Sequence, residues 1–408
     1  MTQATGKQTI QNRRGERGQT IILVAVALVS LLAMAALAID VTTLYVARGE
    51  MQRAADAAAL AGAKAFVDSG ITSDPGSATR QTMAQTMATT LINSILAQNK
   101  VSGGAPVLVS ATPDFTRPGN PQIVVTLQRT DLPTFFARIW GSRLATVTAT
   151  AVAEAYNPAQ APAGYSPIAP QCVKPLLLVN HDPVSGSQFV DPVTGAPIAA
   201  NVLGELVTLK PCPAGACPPN ATLQFRPAQV NPGTANLCPG TCTPPVSDYE
   251  TSLDCCDSAN PPATQYVCGG AVPTTLVNAA LVDPMLSTET NNGLQCVTNH
   301  PAEDTLDPTD LAAGAGAAKI TAGSGPQSGN LVTTSRSIAT FPIVESPDVN
   351  PVRVVGFLQV FVDPVTPAVP TSTPAHILNV VGCGNSPGGG APVSGGGYSP
   401  IPVRLIHQ

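Results

Sequence analysis

TIILVAVALVSLLAMAALAI, residues 20–39, holds twenty consecutive positions without a charged side chain. Coiled as an α-helix it measures about 30 Å, the thickness of a bilayer's hydrocarbon core. Eleven of its residues are Leu, Ile or Val, and at about −0.3 to −0.6 kcal/mol each they favour insertion into lipid. Lys7, Arg13, Arg14 and Arg17 precede the run against the single acid Glu16, whereas Asp40 follows it. That asymmetry predicts a cytoplasmic N-terminus over 1–19, a transmembrane helix over 20–39 and everything from Asp40 onward outside. The chain would then cross the inner (cytoplasmic) membrane once, with a periplasmic or extracellular C-terminus. A cleaved signal peptide is the competing reading, because Ala36-Leu37-Ala38 offers a small-x-small site. Against it, the apolar core exceeds the roughly 7 to 15 residues of a signal, and no helix breaker precedes the site.

The following stretch, DVTTLYVARGEMQRAADAAALAGAKAFVDSG over residues 40–70, contains no proline and is rich in Ala, so the helix is expected to run on past the bilayer. Ala47, Met51, Ala54, Ala58, Ala61 and Ala65 recur at three- and four-residue spacing and form one stripe of mostly small side chains. Such a stripe packs either on the sheet of its own domain or against another subunit. Asp68, Ser69 and Gly70 supply the stop.

Arg17-Gly18-Gln19 before the span, Asp40 at its outer end, and the run from Gln52 through Ala55, Asp56, Ala59 and Gly62 to Ala63 together resemble the TadE/TadG-like family of tight-adherence (Flp-type) pilus assembly proteins. Pseudopilins of related systems place a glutamate near the start of the processed chain. Here Leu23 follows Gly18 at that place and Thr20 follows Gly15, which is the uncleaved, TadG-like pattern. The resemblance implies a membrane-anchored structural or assembly component of a Tad pilus or secretion system, with the lipid bilayer and other pilus-assembly or envelope proteins as partners. It also implies a pilin-like domain beyond the span. Some members carry a von Willebrand A-type module with a D-x-S-x-S metal motif, which this sequence lacks.

Residues 77–98 set Met83, Met87, Leu91 and Ile95 beside Ala84, Ala88 and Ile92 on adjoining helical rows, predicting a second helix. Alternation at Val107–Ala111, Ile123–Leu127 and Leu144–Tyr156 predicts three strands, and Leu132, Phe135, Phe136, Ile139 and Trp140 read as the anchors of a short helix packed in the core. The expected fold class is α+β: a long membrane-spanning helix, a small pilin-like α+β domain over 40–157, then a β-rich, disulfide-stapled, loop-rich domain over 158–408. Apolar runs at Leu176–Val179, Val202–Leu209, Val352–Val362 and Ile377–Val381 are its candidate strands. Gly384 to Tyr398 reads as a flexible tail leading to one last short strand.

Ten cysteines are confined to this second region: Cys172, Cys212, Cys217, Cys238, Cys242, Cys255, Cys256, Cys268, Cys296 and Cys383. An even, clustered set predicts disulfides in an oxidising compartment. Zinc is the rival, but there is no C-x-x-C pair and no histidine at finger spacing. A net charge of −5, with only 11% charged residues, gives no cationic stripe for nucleic acid. The four histidines, His181, His300, His376 and His407, fit no H-E-x-x-H site and no nucleophile elbow. His181-Asp182 and His300 with Glu303 and Asp304 are therefore read as solvated loop residues. Gly314 to Lys319 is read as a small-residue turn, since it lacks the second glycine and the Ser/Thr of a phosphate loop. No enzyme activity, cofactor or metal is expected. An envelope-anchored adhesin or ligand-binding protein is the alternative to an assembly role.

Overall fold

The computed structural model describes residues 16–117, 119–137, 141, 144–158, 164–198, 201–213, 217–229, 231–233, 236–239, 242, 245, 247–257, 259, 264–272, 275–276, 284–347, 351–364, 372–384, 391–393 and 399–406. Lys7, Arg13, Arg14, Ile139, Trp140, His407 and most of the expected tail lie outside the described residues.

One helix, α1 (Glu16–Asp68), carries the charge-free run and the Ala-rich segment without a break. From Ile21 to Ile39 its large apolar side chains are exposed, and the helix is long and apolar enough to cross a membrane. From Ala47 onward burial takes over: Ala47, Met51, Ala54, Ala55, Ala58, Ala59, Ala63, Ala65 and Phe66 are buried, while Ala61 is half-buried. Helix α2 (Ala78–Gln98) buries Ala84, Ala88, Ile92 and Leu96, one row at four-residue spacing. Strands β1 (Val107–Asp114), β2 (Gln122–Pro133) and β3 (Leu144–Ala155) follow.

The short helix expected after Asp131 falls largely on residues outside the described ones, Ile139 and Trp140 among them. Leu132 is buried within β2, Phe135 and Phe136 form a bend, and Phe135 is exposed instead of packed in a core. A side chain far upstream collects the backbone N–H groups of Phe135, Phe136 and Ala137.

The chain then forms β4 (Leu176–Val179), β5 (Leu206–Pro211), β6 (Leu223–Gln229), β7 (Asn236–Leu237), α3 (Asp248–Asp254), β8 (Cys256–Asp257), β9 (Thr275–Leu276) and α4 (Pro284–Thr298). It continues with β10 (Thr305–Asp307), α5 (Thr309–Ala312), β11 (Lys319–Thr321), β12 (Leu331–Val332), β13 (Ile338–Val344), β14 (Val354–Val362), β15 (Thr373–Gly382) and β16 (Val403–Ile406). The fold class is α+β, with a long apolar helix first and a β-rich, disulfide-bonded region after it.

Two compact units result. One comprises residues up to Ala55 with Leu96–Val109 and Thr126–Thr150, and the other comprises Asp56–Ile95, Ser110–Val125 and the residues from Ala151 onward. Strands β1, β2, β3 and β16 make a four-stranded sheet in that order. The larger sheet runs β4-β13-β14-β15-β5-β6-β9, and because β4 also pairs with β6, its first six strands close on themselves. Closure leaves no open edge among those six. Residues two apart face one side of a strand, and Leu176 with Leu178, Val207 with Leu209, Leu223 with Phe225, and Phe341 with Ile343 all belong to one buried cluster. Strand β14 is buried along its whole length, so it reads as an apolar run interrupted only by Gln359, with no alternation.

The ten cysteines form five disulfides: Cys172–Cys256, Cys212–Cys217, Cys238–Cys255, Cys242–Cys296 and Cys268–Cys383. No cysteine is free, which removes the thiolates that zinc would need. The region between Cys212 and Cys296 also folds α3 and α4, which the sequence reading did not anticipate. Ser247 caps α3 by accepting from Glu250 N, and Tyr249 Oη lies 2.8 Å from Thr290 Oγ1. Any Cβ at Gly293 would sit 2.6 Å from Leu253 Cβ, so the glycine sets the approach of the two helices.

Candidate functional site: the Asp40 latch and the seam at the helix end

Asp40 is the first charged residue after the apolar run, yet it is only 3% exposed. Its Oδ1 accepts from Phe135 N at 2.8 Å, and its Oδ2 accepts from Phe136 N at 3.0 Å and Ala137 N at 2.6 Å. Three consecutive donors converge on one carboxylate because the bend leaves them without strand or helix partners. Thr43 Oγ1 donates to the Asp40 carbonyl, 2.8 Å away. In the same unit Gln52 Nε2 reaches Thr150 O at 3.3 Å, and Glu50 Oε2 accepts from Ser102 N at 2.7 Å. Polar side chains of α1 thus hold backbone of the sheet and its loops.

Of the remaining motif positions, those beyond the apolar run are accounted for by packing. Arg17, Gly18 and Gln19 lie in the first turn of α1, with side chains outside the described residues. Ala55 and Ala59 are fully buried and Asp56 is half-buried. Gly62 is buried where a Cβ would meet Ile123 Cδ1 at 2.9 Å and Ile92 Cδ1 at 3.1 Å. Small residues are needed there because the helix comes that close to its neighbours.

At the end of α1, Gly70 adopts φ +73°, and a Cβ on it would lie 2.3 Å from Leu203 Cδ1. Arg80 Nη1 donates to Ser69 O (3.2 Å) and Leu311 O (2.9 Å), while its Nε lies 3.4 Å from Asp74 Oδ2. Burial lowers the Arg80 pKa against the attraction of Asp74. Ser73 Oγ accepts from Val380 N and donates to Asn379 Oδ1, and Asn157 Nδ2 donates to Thr72 O at 3.0 Å and Val380 O at 3.4 Å. This buried polar seam ties the turn after α1 to strand β15. Sequence reading missed it because its members are hundreds of residues apart.

The paired acids behave differently from the solvated loops expected. Asp182 is fully buried and accepts from Val184 N and Ser185 N, both at 3.1 Å, a local turn that replaces water at the carboxylate. Burial and, second, the Asp182 carboxylate push Glu205 up to about 7. His300 Nδ1 contacts Glu303 Oε1, and both side chains are partly buried. His376 Nδ1 lies 3.0 Å from Asp363 Oδ2. Beside the disulfides, buried Lys174 donates from Nζ to Cys255 O at 2.9 Å, and burial pulls its pKa down to about 8 against the attraction of Asp254. Burial, helped by Glu250, pushes Asp254 up to about 7. Among the described residues no group of three or more His, Cys, Asp or Glu is placed to hold a metal. Gly314 to Lys319 forms a turn leading into β11, with Lys319 Nζ 2.7 Å from Asp310 Oδ2.

Residues 18–65 match the family described as putative Flp pilus-assembly TadE/G-like. No curated protein and no solved structure matches the chain. The matched segment begins at the foot of α1, contains Asp40, Gln52, Ala55, Asp56, Ala59 and Gly62, and ends one residue before Phe66. The N-terminal segment of this chain is thus TadE/G-like.

Proposed function

We propose that the chain is a structural or assembly component of a Tad (Flp-type) pilus or secretion system, held in the inner membrane by α1. Its N-terminus is cytoplasmic and its disulfide-bonded region lies outside. The observation that carries the reading is the coincidence of the family match over 18–65 with a single helix whose apolar run ends at the latched Asp40. Five disulfides support an oxidising compartment, and the basic flank before the span supports the orientation. The role is scaffolding: α1 carries position from the bilayer through the 40–157 module to the 158–408 module, and pilus-assembly or envelope proteins are the partners. Nothing is turned over.

Crosslinking of the full chain in native membranes, with mass-spectrometric identification of the captured neighbours, tests this. Pilus-assembly components are expected. Glycan binding by the full chain with no pilus neighbour would transfer the assignment to an adhesin, and partition into the soluble cytoplasm with reduced thiols would end both readings.

A further inference from the structure

We propose that the bend at Phe135–Phe136 is a second membrane contact, in which the Phe135 side chain enters the outer interfacial layer of the same bilayer that α1 crosses. The inference rests on the membrane span read from α1 and goes beyond it. Phe135 is 58% exposed, although aromatic residues are scarce in this chain and one of that size is ordinarily covered. Its position is fixed by the latch: Phe135 N bonds the side chain of Asp40, and Asp40 directly follows Ile39, the last residue of the charge-free run. The Phe135 backbone therefore stands one hydrogen bond from the side chain of the residue that closes the apolar span, and it carries the exposed ring there. An interfacial layer about 5 to 8 Å deep covers that level.

The polar groups of the bend also suit a lipid boundary. Backbone that approaches hydrocarbon must have its N–H groups satisfied within the protein. Here the N–H groups of Phe135, Phe136 and Ala137 already end on Asp40, so contact with lipid strips little water from them. Further exposed apolar residues belong to the same unit. On α1 Val41 is 57% and Tyr45 is 79% exposed, and Leu144 at the start of β3 is 61% exposed. Tyr45 lies about 7.5 Å beyond Asp40 along the helix, a depth at which tyrosine is enriched at membrane surfaces. A bilayer is the occupant chosen over a protein because Phe135 is tied to Asp40 and Val41 adjoins it, directly after the exposed apolar run of the span.

The test uses the unaltered full chain in vesicles of phosphatidylethanolamine and phosphatidylglycerol. It is photolabelled once with a diazirine dissolved in the bilayer and once with a water-soluble diazirine, and residues are assigned by mass spectrometry. Phe135 is expected to take the lipid-phase label as Ile39 does and to be protected from the aqueous one. Lipid-phase labelling of Ile39 with purely aqueous labelling of Phe135 would leave the span intact and overturn the inference. Protection of Phe135 from both reagents would also overturn it, since a protein then covers the ring. Absence of lipid-phase label from Ile39 would remove the span, and the second contact with it.

Discussion

The backbone N–H of Phe135 donates to the carboxylate of Asp40 at 2.8 Å across 95 residues of sequence. With Phe136 and Ala137 completing the set, one side chain organises a bend that would otherwise leave three donors unpaired. Replacing Asp40 with Ala should abolish protection of these three amides, read by hydrogen exchange on the full chain in nanodiscs. Asp40→Asn keeps a single carbonyl acceptor and should retain protection at part of the set. Equal protection in wild type and Asp40→Ala would show that the latch does not hold the bend.

Gly62 gives a size test on α1. Alanine gains about 1 kcal/mol of helix propensity, and its Cβ would press on side-chain methyl groups alone, Cδ1 and Cγ2 of Ile123 and Cδ1 of Ile92. Gly62→Ala should therefore change stability little. Gly62→Val should cost about 1 to 3 kcal/mol through overpacking, seen as a lower denaturation midpoint at unchanged slope.

The disulfides should differ by the length of chain they close. Cys268–Cys383 spans 115 residues and Cys212–Cys217 only 5. Chain-entropy reasoning gives about 5 kcal/mol for the first and about 2 for the second. Paired replacement by serine, compared by denaturant unfolding, should rank them in that order.

Two carboxyls set a pH response. Burial raises Glu205 from 4.5 and Asp254 from 3.8, each to about 7. A raised carboxyl means the native state holds its proton while the unfolded chain has released it, so stability falls as pH rises through that window. The protein should lose stability between about pH 4 and pH 7 from these groups, in line with the cited shifts. Glu205→Gln should flatten the part of the slope above pH 4.5, measured as unfolding midpoint against pH.

Which parts of the molecule could be read in advance follows from the range of the interactions. Helices α1 and α2 are declared locally, by an unbroken apolar and Ala-rich run in one and by the row Ala84, Ala88, Ile92 in the other. Strands β6 and β13 were not among the apolar runs read as strands; each contains a proline, Pro227 or Pro342, and β13 accommodates Pro342 opposite Phe357 in β14. Asp182 was misjudged for a related reason: a polar residue in a Pro-flanked segment looks solvated, but its own turn supplies the donors that let it be buried. Asp40 stood out as a motif position, whereas its partner at Phe135 could not be found by any local pattern. Cysteine connectivity is equally non-local, and the adjacent pair Cys255 and Cys256 goes to two different partners.

Strand β16 completes the smaller sheet by pairing Val403 to Ile406 with β3, and Arg404 Nε reaches Glu154 Oε1 at 2.6 Å, 250 residues away. A nascent or partly exported chain consequently carries β3 with one flank bare until residues 403–406 have been added, and a bare flank is a template for mispairing. Translation stalled before Val403 should yield a product that clumps unless a chaperone shields it. Sedimentation of a chain truncated at Ser399 would reveal this, and a truncated product as dispersed as the full one would show that the flank is protected in some other way.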